Sequence, residues 1–190
     1  VRLGPMAKAA TTALAVPVVG AAVLLPVGVF TAWLARDGVV GFEWSQAFAS
    51  AYSSGLAALV AVLVALPVAF AASAGRFGRI CERTTYLGFG VPGIVMGTAL
   101  VYVGLQLPAL YQTLALLVLA YVLRFLPLAV GAERASTERV SSDLVGAART
   151  LGASRAEAFR RVTLPLILPG IVAGAALVFL EAMRELPATL

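Results

Sequence analysis

GAARTLGASRAEAFRRVTLP, residues 146 to 165, is the stretch whose reading decides the architecture of this chain. It is a charged, amphipathic insert lodged between two long apolar segments, 113 to 132 and 164 to 183. A soluble-looking helical pair held against a membrane face reads as a docking element. Residues 133 to 163 are too polar for hydrocarbon, yet their apolar residues stay periodic: Leu144, Ala148 and Leu151 stand at i, i+4 and i+7 on one helical face. Gly152 suits the C-terminus of that helix, where a positive φ is often required. Ser154-Arg155-Ala156-Glu157 is an S-x-x-E capping box that starts a second helix. Pro165 is compatible with the first turn of the apolar helix that follows. Small Ala147 and Ala148 would let the first helix sit deep in a partner's groove, with the surrounding arginines available to pair with acids on its rim. An amphipathic helix lying on anionic headgroups is also basic and periodic, so lipid binding stands beside docking at this level.

The composition says membrane. Hydrophobic residues are 61% of 190, charged residues only 12%, and the mean hydropathy is +0.98, against roughly 45–50% apolar residues in ordinary soluble domains. Five segments meet the requirement of about 17–25 mainly apolar residues for crossing the hydrocarbon layer: 13–35, 52–74, 85–106, 113–132 and 164–183. Prolines inside these runs (Pro17, Pro26, Pro67, Pro92, Pro127 and Pro169) argue against central strands, whereas helices in lipid tolerate them when neighbours satisfy the freed carbonyls. The expected fold is therefore all-α, a polytopic transmembrane helix bundle. Glycines spaced GxxxG at 93/97 and 170/174 let helix backbones approach closely.

Basic residues set the expected orientation. Arg2 and Lys8 precede the first span, Arg76, Arg79 and Arg83 lie between the second and third, and Arg134, Arg139, Arg149, Arg155, Arg160 and Arg161 lie between the fourth and fifth. These eleven of the 14 Lys and Arg residues share one side, against Arg36 and Arg184 opposite and Arg124 within a span. The positive-inside rule puts the eleven, and the N-terminus, on the cytoplasmic side. Trp33, Trp44, Tyr52, Tyr102 and Tyr111 fall near the opposite boundary, as interfacial aromatics do. The net charge of +5 then reflects topology and needs no nucleic-acid partner.

Missing residue types bound the chemistry. The chain has no histidine, which removes His-based triads, HExxH zinc sites and histidine proton relays. Its sole lysine, Lys8, is followed by Ala9, so the sequence holds no phosphate-binding P-loop. If ATP drives this protein, another polypeptide binds it. The lone Cys81 has no internal disulfide partner. No cofactor is expected, and no metal site is assigned.

The spacing A-A-x3-G-x9-[IV]-x-L-P, carried by Ala147, Ala148, Gly152, Val162, Leu164 and Pro165, resembles the cytoplasmic coupling loop of ABC importer permeases. Two further strings, YVLRFLPLAV from Tyr121 and FLEAMRELPATL from Phe179, resemble the ferric iron branch, whose relatives handle thiamine, sulfate, molybdate or polyamines. The resemblance runs along essentially the whole chain. It implies one type-1 permease domain over 1–190 with the coupling loop at 133–163, docking onto cytoplasmic ABC ATPase subunits. It further implies a periplasmic or lipoprotein solute-binding protein and a second permease half as partners, in a lipid setting. Residues 143 to 165, among them Leu144 and Leu151, would carry the coupling. The family usually has an acidic residue where this chain has Gly146, which removes a charge near a helix start and, in a helix, costs about 1 kcal/mol relative to Ala. Such permeases resemble two fused halves of about six helices. The chain, starting at Val1, reads as a piece of one half, although a genuine five-span protein fits as well.

Substrate residues are less determined. Glu181 and Glu185 stand i, i+4 on a helix continuing from the fifth span, and hard cations prefer such oxygens. Arg184, i+3 from Glu181, can instead simply neutralise it. Arg124 lies inside the fourth span, where a charge costs about 2.5–3.5 kcal/mol on insertion scales, and so it snorkels, pairs with an acid such as Glu181, or lines a wet pathway. The expected function is a permease subunit of an ATP-driven importer, with ferric iron as the leading substrate. Thiamine, sulfate, molybdate or polyamine import is the alternative within the class. A nucleotide-independent carrier or channel is the alternative outside it, and a membrane enzyme fits poorly because no nucleophile-base pair is recognisable.

Overall fold

In hydrocarbon every backbone N–H and C=O must find its partner within the protein, which leaves helices as the simplest solution for an apolar chain. A computed structural model describes residues 4–38 and 43–185, and all regular structure among the described residues is helical. Arg2, used in the charge argument, and the end of the FLEAMRELPATL string lie outside the described residues. The chain divides into two units, 1–44 and 45–190.

The first unit is built on α1 (Pro5–Asp37), a 33-residue helix with Pro17 and Pro26 inside it. None of its residues is buried within the structure. Gly38, at φ +67°, closes it by donating its N–H to the Leu34 carbonyl at 3.0 Å, a left-handed cap that glycine adopts without strain.

The second unit packs α2 (Trp44–Ala74), α5 (Leu114–Thr137) and α8 (Leu164–Met183) around one core. Lipid is as apolar as leucine, so helices in it associate by close packing rather than by hydrophobic burial. The sequence supplies the small residues this needs. Ala57, Ala61 and Ala65 of α2 are fully buried, together with Phe125, Ala129 and Val130 of α5 and Val178 of α8. A Cβ at Gly174 would come within 3.1 Å of the Ala129 Cα, and one at Gly170 within 2.7 Å of the Ala132 carbonyl oxygen. The 170/174 glycines therefore bring the α5 and α8 backbones together, as their spacing predicts.

The continuous span expected over 85–106 is instead a bent pair. Helices α3 (Arg76–Phe89) and α4 (Gly93–Gln106) meet at 98° across Gly90-Val91-Pro92. Pro92 has no N–H to extend α3 and pushes Val91 out of the helical region, so the break falls where proline chemistry requires it. Among the described residues four helices are long and apolar enough to cross a membrane, or five when the bent pair counts as one span.

A second difference concerns the end of the amphipathic segment. The short helix α7 (Arg155–Ala158), a π turn over Phe159–Thr163 and α8 form one helical run of 29 residues, Arg155–Met183. The helix that starts at the Ser154 cap and the last span are thus a single helical run. Phe159 on that rod meets Phe70 of α2 with ring centroids 6.2 Å apart.

Candidate functional site

Helix α6 (Ser142–Thr150) begins with the Ser141 hydroxyl accepting the Asp143 N–H at 3.1 Å. Asp143 lies in its first turn and Arg149 in its last, each matched to the partial charge of that end. Leu151 and Ala153 donate their N–H groups back to the carbonyls of Ala147 and Ala148, both at 3.1 Å. The turn between them is made by Gly152 at φ +93°, the positive φ expected from the sequence and strained for any residue with a Cβ. Ser154 then caps α7 by accepting the Glu157 N–H at 3.2 Å. The Glu157 carboxylate, which a full capping box would turn back toward Ser154, pairs with Arg161 at 3.1 Å.

The helical wheel places Leu144, Ala147, Ala148 and Leu151 on one face of this short helix. No residue of α6 is buried, and Leu144 and Leu151 are 50% and 89% exposed. A helix with an apolar stripe in water is the pattern of an element awaiting a partner. Ala158 and Thr163, by contrast, are buried and fix the following rod. Val162 and Leu164 on that rod are half-buried, while Pro165 is exposed in the first turn of α8. The residues expected to couple thus fall into an open set on α6 and a set built into the rod. Gly146 corrects one expectation: it sits a full turn into α6, with nothing within 4 Å of a Cβ built on it. Dipole interactions fade beyond the first turn, and Asp143 already occupies that turn, so only the helix-propensity deficit of glycine remains there.

At the other end of α5 the charged residues sort themselves differently from expectation. Arg124 pairs with Glu185, Nε to carboxylate at 3.3 Å, and not with Glu181. Its Nη1 donates to the Val91 carbonyl at 3.2 Å, inside the α3–α4 break, and its guanidinium lies 5.5 Å from the Phe125 ring centroid. Glu181 is held by Arg184 through two bonds of 2.9 and 2.6 Å. The physical reason is local: i+3 neighbours on a helix meet, whereas Glu185 lies just past the end of α8, its N–H bonded to Ala182 at 3.2 Å. The two glutamates therefore serve different arginines. Among the described residues no group of three or more His, Cys, Asp or Glu side chains gathers as a metal cage. Glu185 lines a cavity of about 720 Å³ with Ser50 and Ser53 of α2, Gly97 of α4, and Thr113 and Tyr121 near the start of α5.

Sequence reasoning missed three features of this region. The GxxxG spacing marks Gly93 for helix packing, yet a Cβ there would come within 2.6 Å of a Glu185 oxygen and 2.9 Å of Arg124 Nη1. Arg134 binds Glu82 of α3 and also Glu138 at 2.9 Å. Glu133 is fully buried, and neither carboxylate oxygen has a hydrogen-bond partner among the described residues. Only the i, i+4 spacing of Arg134 and Glu138 was available in the sequence as a signal.

With the bundle, the open α6 face and the polar cluster in place, the comparison with known proteins is direct. Residues 58–190 match the family of binding-protein-dependent transport system inner membrane components. The chain belongs to that family. Its members are transport permeases and not enzymes. The chain is 40% identical over 152 residues, 78% of its length, to the Fe(3+)-transport system permease protein FbpB 2 of Haemophilus influenzae, covering 30% of that protein. It is 47% identical over 73 residues to the molybdenum transport system permease protein ModB of Escherichia coli, which is 38% of this chain and 32% of that one. It is 48% identical over 65 residues to the spermidine/putrescine transport system permease protein PotB of Salmonella typhimurium, 34% of this chain and 22% of the relative. The chain spans less than a third of each of these relatives' lengths.

Proposed function

We propose that this chain is a membrane-spanning part of an ATP-driven importer. In this reading Leu144, Ala147, Ala148, Leu151 and Gly152 form a peg that seats in a groove of a separate ATPase subunit, with Val162, Leu164 and Pro165 carrying the movement into α8. The nucleotide is bound by that other subunit, a solute-binding protein delivers substrate on the far side, and a second permease half completes the pathway. The observation that carries the reading is the exposed apolar face of α6 on an otherwise polar segment, in a chain of the permease family. The α7–π–α8 run supports it mechanically, because the helix continues without a loop from Arg155 to Met183.

Co-purification with the ATPase subunit tests the peg. Ala148→Trp and Gly152→Trp abolish it, since a ring forced into a packed groove adds overpacking strain of about 1–3 kcal/mol or more. Arg155→Ala leaves it nearly intact. Binding that survives all three substitutions replaces the peg with a helix lying on lipid.

Orientation is part of the proposal. With Cys81 replaced by serine, a cysteine at Ser154 is labelled only from the cytoplasmic side and one at Ser45 only from outside. Ferric iron is the proposed substrate, supported by the FbpB 2 similarity over 152 residues, with Arg124, Glu181, Arg184 and Glu185 along the path. The shorter matches to molybdenum and polyamine permeases favour a second reading, import of those solutes. Uptake of labelled iron, molybdate and spermidine by the assembled transporter separates the two.

A further inference from the structure

The 720 Å³ cavity has a floor made of charge. On α5 the lining residues Leu117, Ala120 and Tyr121 precede Arg124 by seven, four and three positions, which puts Arg124 on the same helical face one turn deeper. On α4 the lining residue Gly97 follows Gly93 by four, so Gly93 occupies the same level on the opposite wall. Glu185, itself a lining residue, closes the gap by pairing with Arg124 at 3.3 Å. Arg124 and Glu185 side chains are 20% and 9% exposed. The arginine also takes the Val91 carbonyl at 3.2 Å, a group that the α3–α4 break leaves without a continuing helix. One ion pair therefore ties three walls together: the broken span, α5 and the end of α8.

We infer that Arg124 and Glu185 form a latch that closes the inner end of this cavity, with the Gly90-Val91-Pro92 break as the hinge on which α4 swings when it opens. Helix α3 is held to α5 by the Glu82–Arg134 bond and by the close approach of Gly88 to the Leu123 carbonyl, 2.7 Å from a Cβ placed there. It moves with α5. Helix α4 lies beyond the break, and its first residue, Gly93, is in contact with the pair. Parting the pair frees the Gly93 end of α4 from α5 and α8, while its far end stays packed through Gly104 against Leu116 of α5. A charged substrate has a means of doing so, since a cation competes for the carboxylate and an anion for the guanidinium.

A reporter one turn deeper reads the latch. Leu128 of α5 is packed against the core and follows Arg124 by four positions. In the full chain with Cys81→Ser, in proteoliposomes, Leu128→Cys reacts slowly with a water-soluble thiol reagent. Glu185→Ala or Arg124→Ala raises the rate by about tenfold or more, because removing one partner of a poorly solvated pair leaves the other charge seeking water. The exchanged pair, Arg124→Glu with Glu185→Arg, brings the rate back toward that of the unaltered protein. Gly93→Ala keeps both charges and wedges them apart sterically, and it gives a smaller rise. Ala65→Cys, in the closed face of α2, stays unreactive throughout. Unchanged labelling of Leu128→Cys in the monodisperse Gly93→Ala and Glu185→Ala proteins overturns the latch. So does an exchanged pair as reactive as the single variants, or equal labelling at Ala65→Cys, which indicates general loosening. A latch has a use only in the transporter proposed above, but thiol labelling needs neither ATPase nor substrate, so each reading fails by its own result.

Discussion

The α5–α8 contact and helix α6 are both built from alanine, glycine and leucine, and they use these residues in opposite ways. Between α5 and α8 the small residues face each other and close, leaving Ala129, Gly170, Gly174 and Val178 buried. On α6 the same residue types face outward, and nothing among the described residues covers Ala147, Leu144 or Leu151. Small residues bring backbones together only where both partners are present. A closed small-residue face is a finished contact, and an open one is half of a contact.

The largest effect that tests this contrast comes from adding bulk to the closed face. Gly174→Leu drives a side chain toward the Ala129 backbone, 3.1 Å from the glycine's Cβ position, and destabilises the bundle by about 3 kcal/mol or more. Loss of the monodisperse peak in detergent reads it. Leu151→Ser on the open face changes stability by no more than about 0.5 kcal/mol and instead weakens ATPase docking. Equal losses of stability from the two would mean that α6 is packed within this chain after all.

Charged contacts repeat the contrast between closed and open. The Glu82–Arg134 pair joins α3 to α5 with both side chains mostly covered, whereas Arg161 and Glu157 pair in the open. Arg134→Ala leaves Glu82 without its arginine in a poorly solvated place and costs about 3 kcal/mol. Arg161→Ala costs about 0–1 kcal/mol, as exposed i, i+4 pairs do. Thermal unfolding of the purified proteins separates the two, and a silent Arg134→Ala would show that α3 is not anchored through this bond.

Glu133 is the exception within the closed region. Its carboxylate is fully buried and has no hydrogen-bond partner among the described residues, and a buried polar group in that state is destabilising. Glu133→Met, which keeps length and removes the polar oxygens, raises stability by about 1–3 kcal/mol. A lower unfolding temperature would show that the carboxylate is satisfied by a group that the described residues do not include.

Much of this was legible in the sequence because it depends on local spacing. Gly152 announces a positive φ, Ser154 a cap, and Gly170 with Gly174 a close approach, since each effect acts within one or two turns of its own helix. The α3–α4 break was harder to read. Pro92 sits in an apolar run like Pro67 and Pro127, which their helices absorb, and only its junction with Gly90 and Val91 breaks the span. The π turn at 159–163 has no residue pattern of its own. Arg124 is legible as a charge that needs an answer, but the identity of the answer depends on where α8 ends and which way the chain turns there. Position past a helix end is set by tertiary packing, so Glu181, on the helix and near in sequence to Arg184, looked the better partner than Glu185.

The smallest expected effect lies on α6 itself and sharpens the meaning of its open face. Gly146 has no neighbour within 4 Å of a Cβ placed on it and stands a turn inside the helix, past Asp143. Alanine there gains about 1 kcal/mol of helix propensity with nothing to clash against. Glutamate gains nearly as much and adds little through the dipole, whose influence is confined to the first turn. If the peg works by being a firm helix, Gly146→Ala and Gly146→Glu strengthen ATPase docking to the same modest degree, about fivefold for 1 kcal/mol. A gain from glutamate alone would point to a cation on the partner's groove facing position 146, and the α6 contact would then extend beyond the Leu144–Leu151 stripe onto the opposite side of the helix.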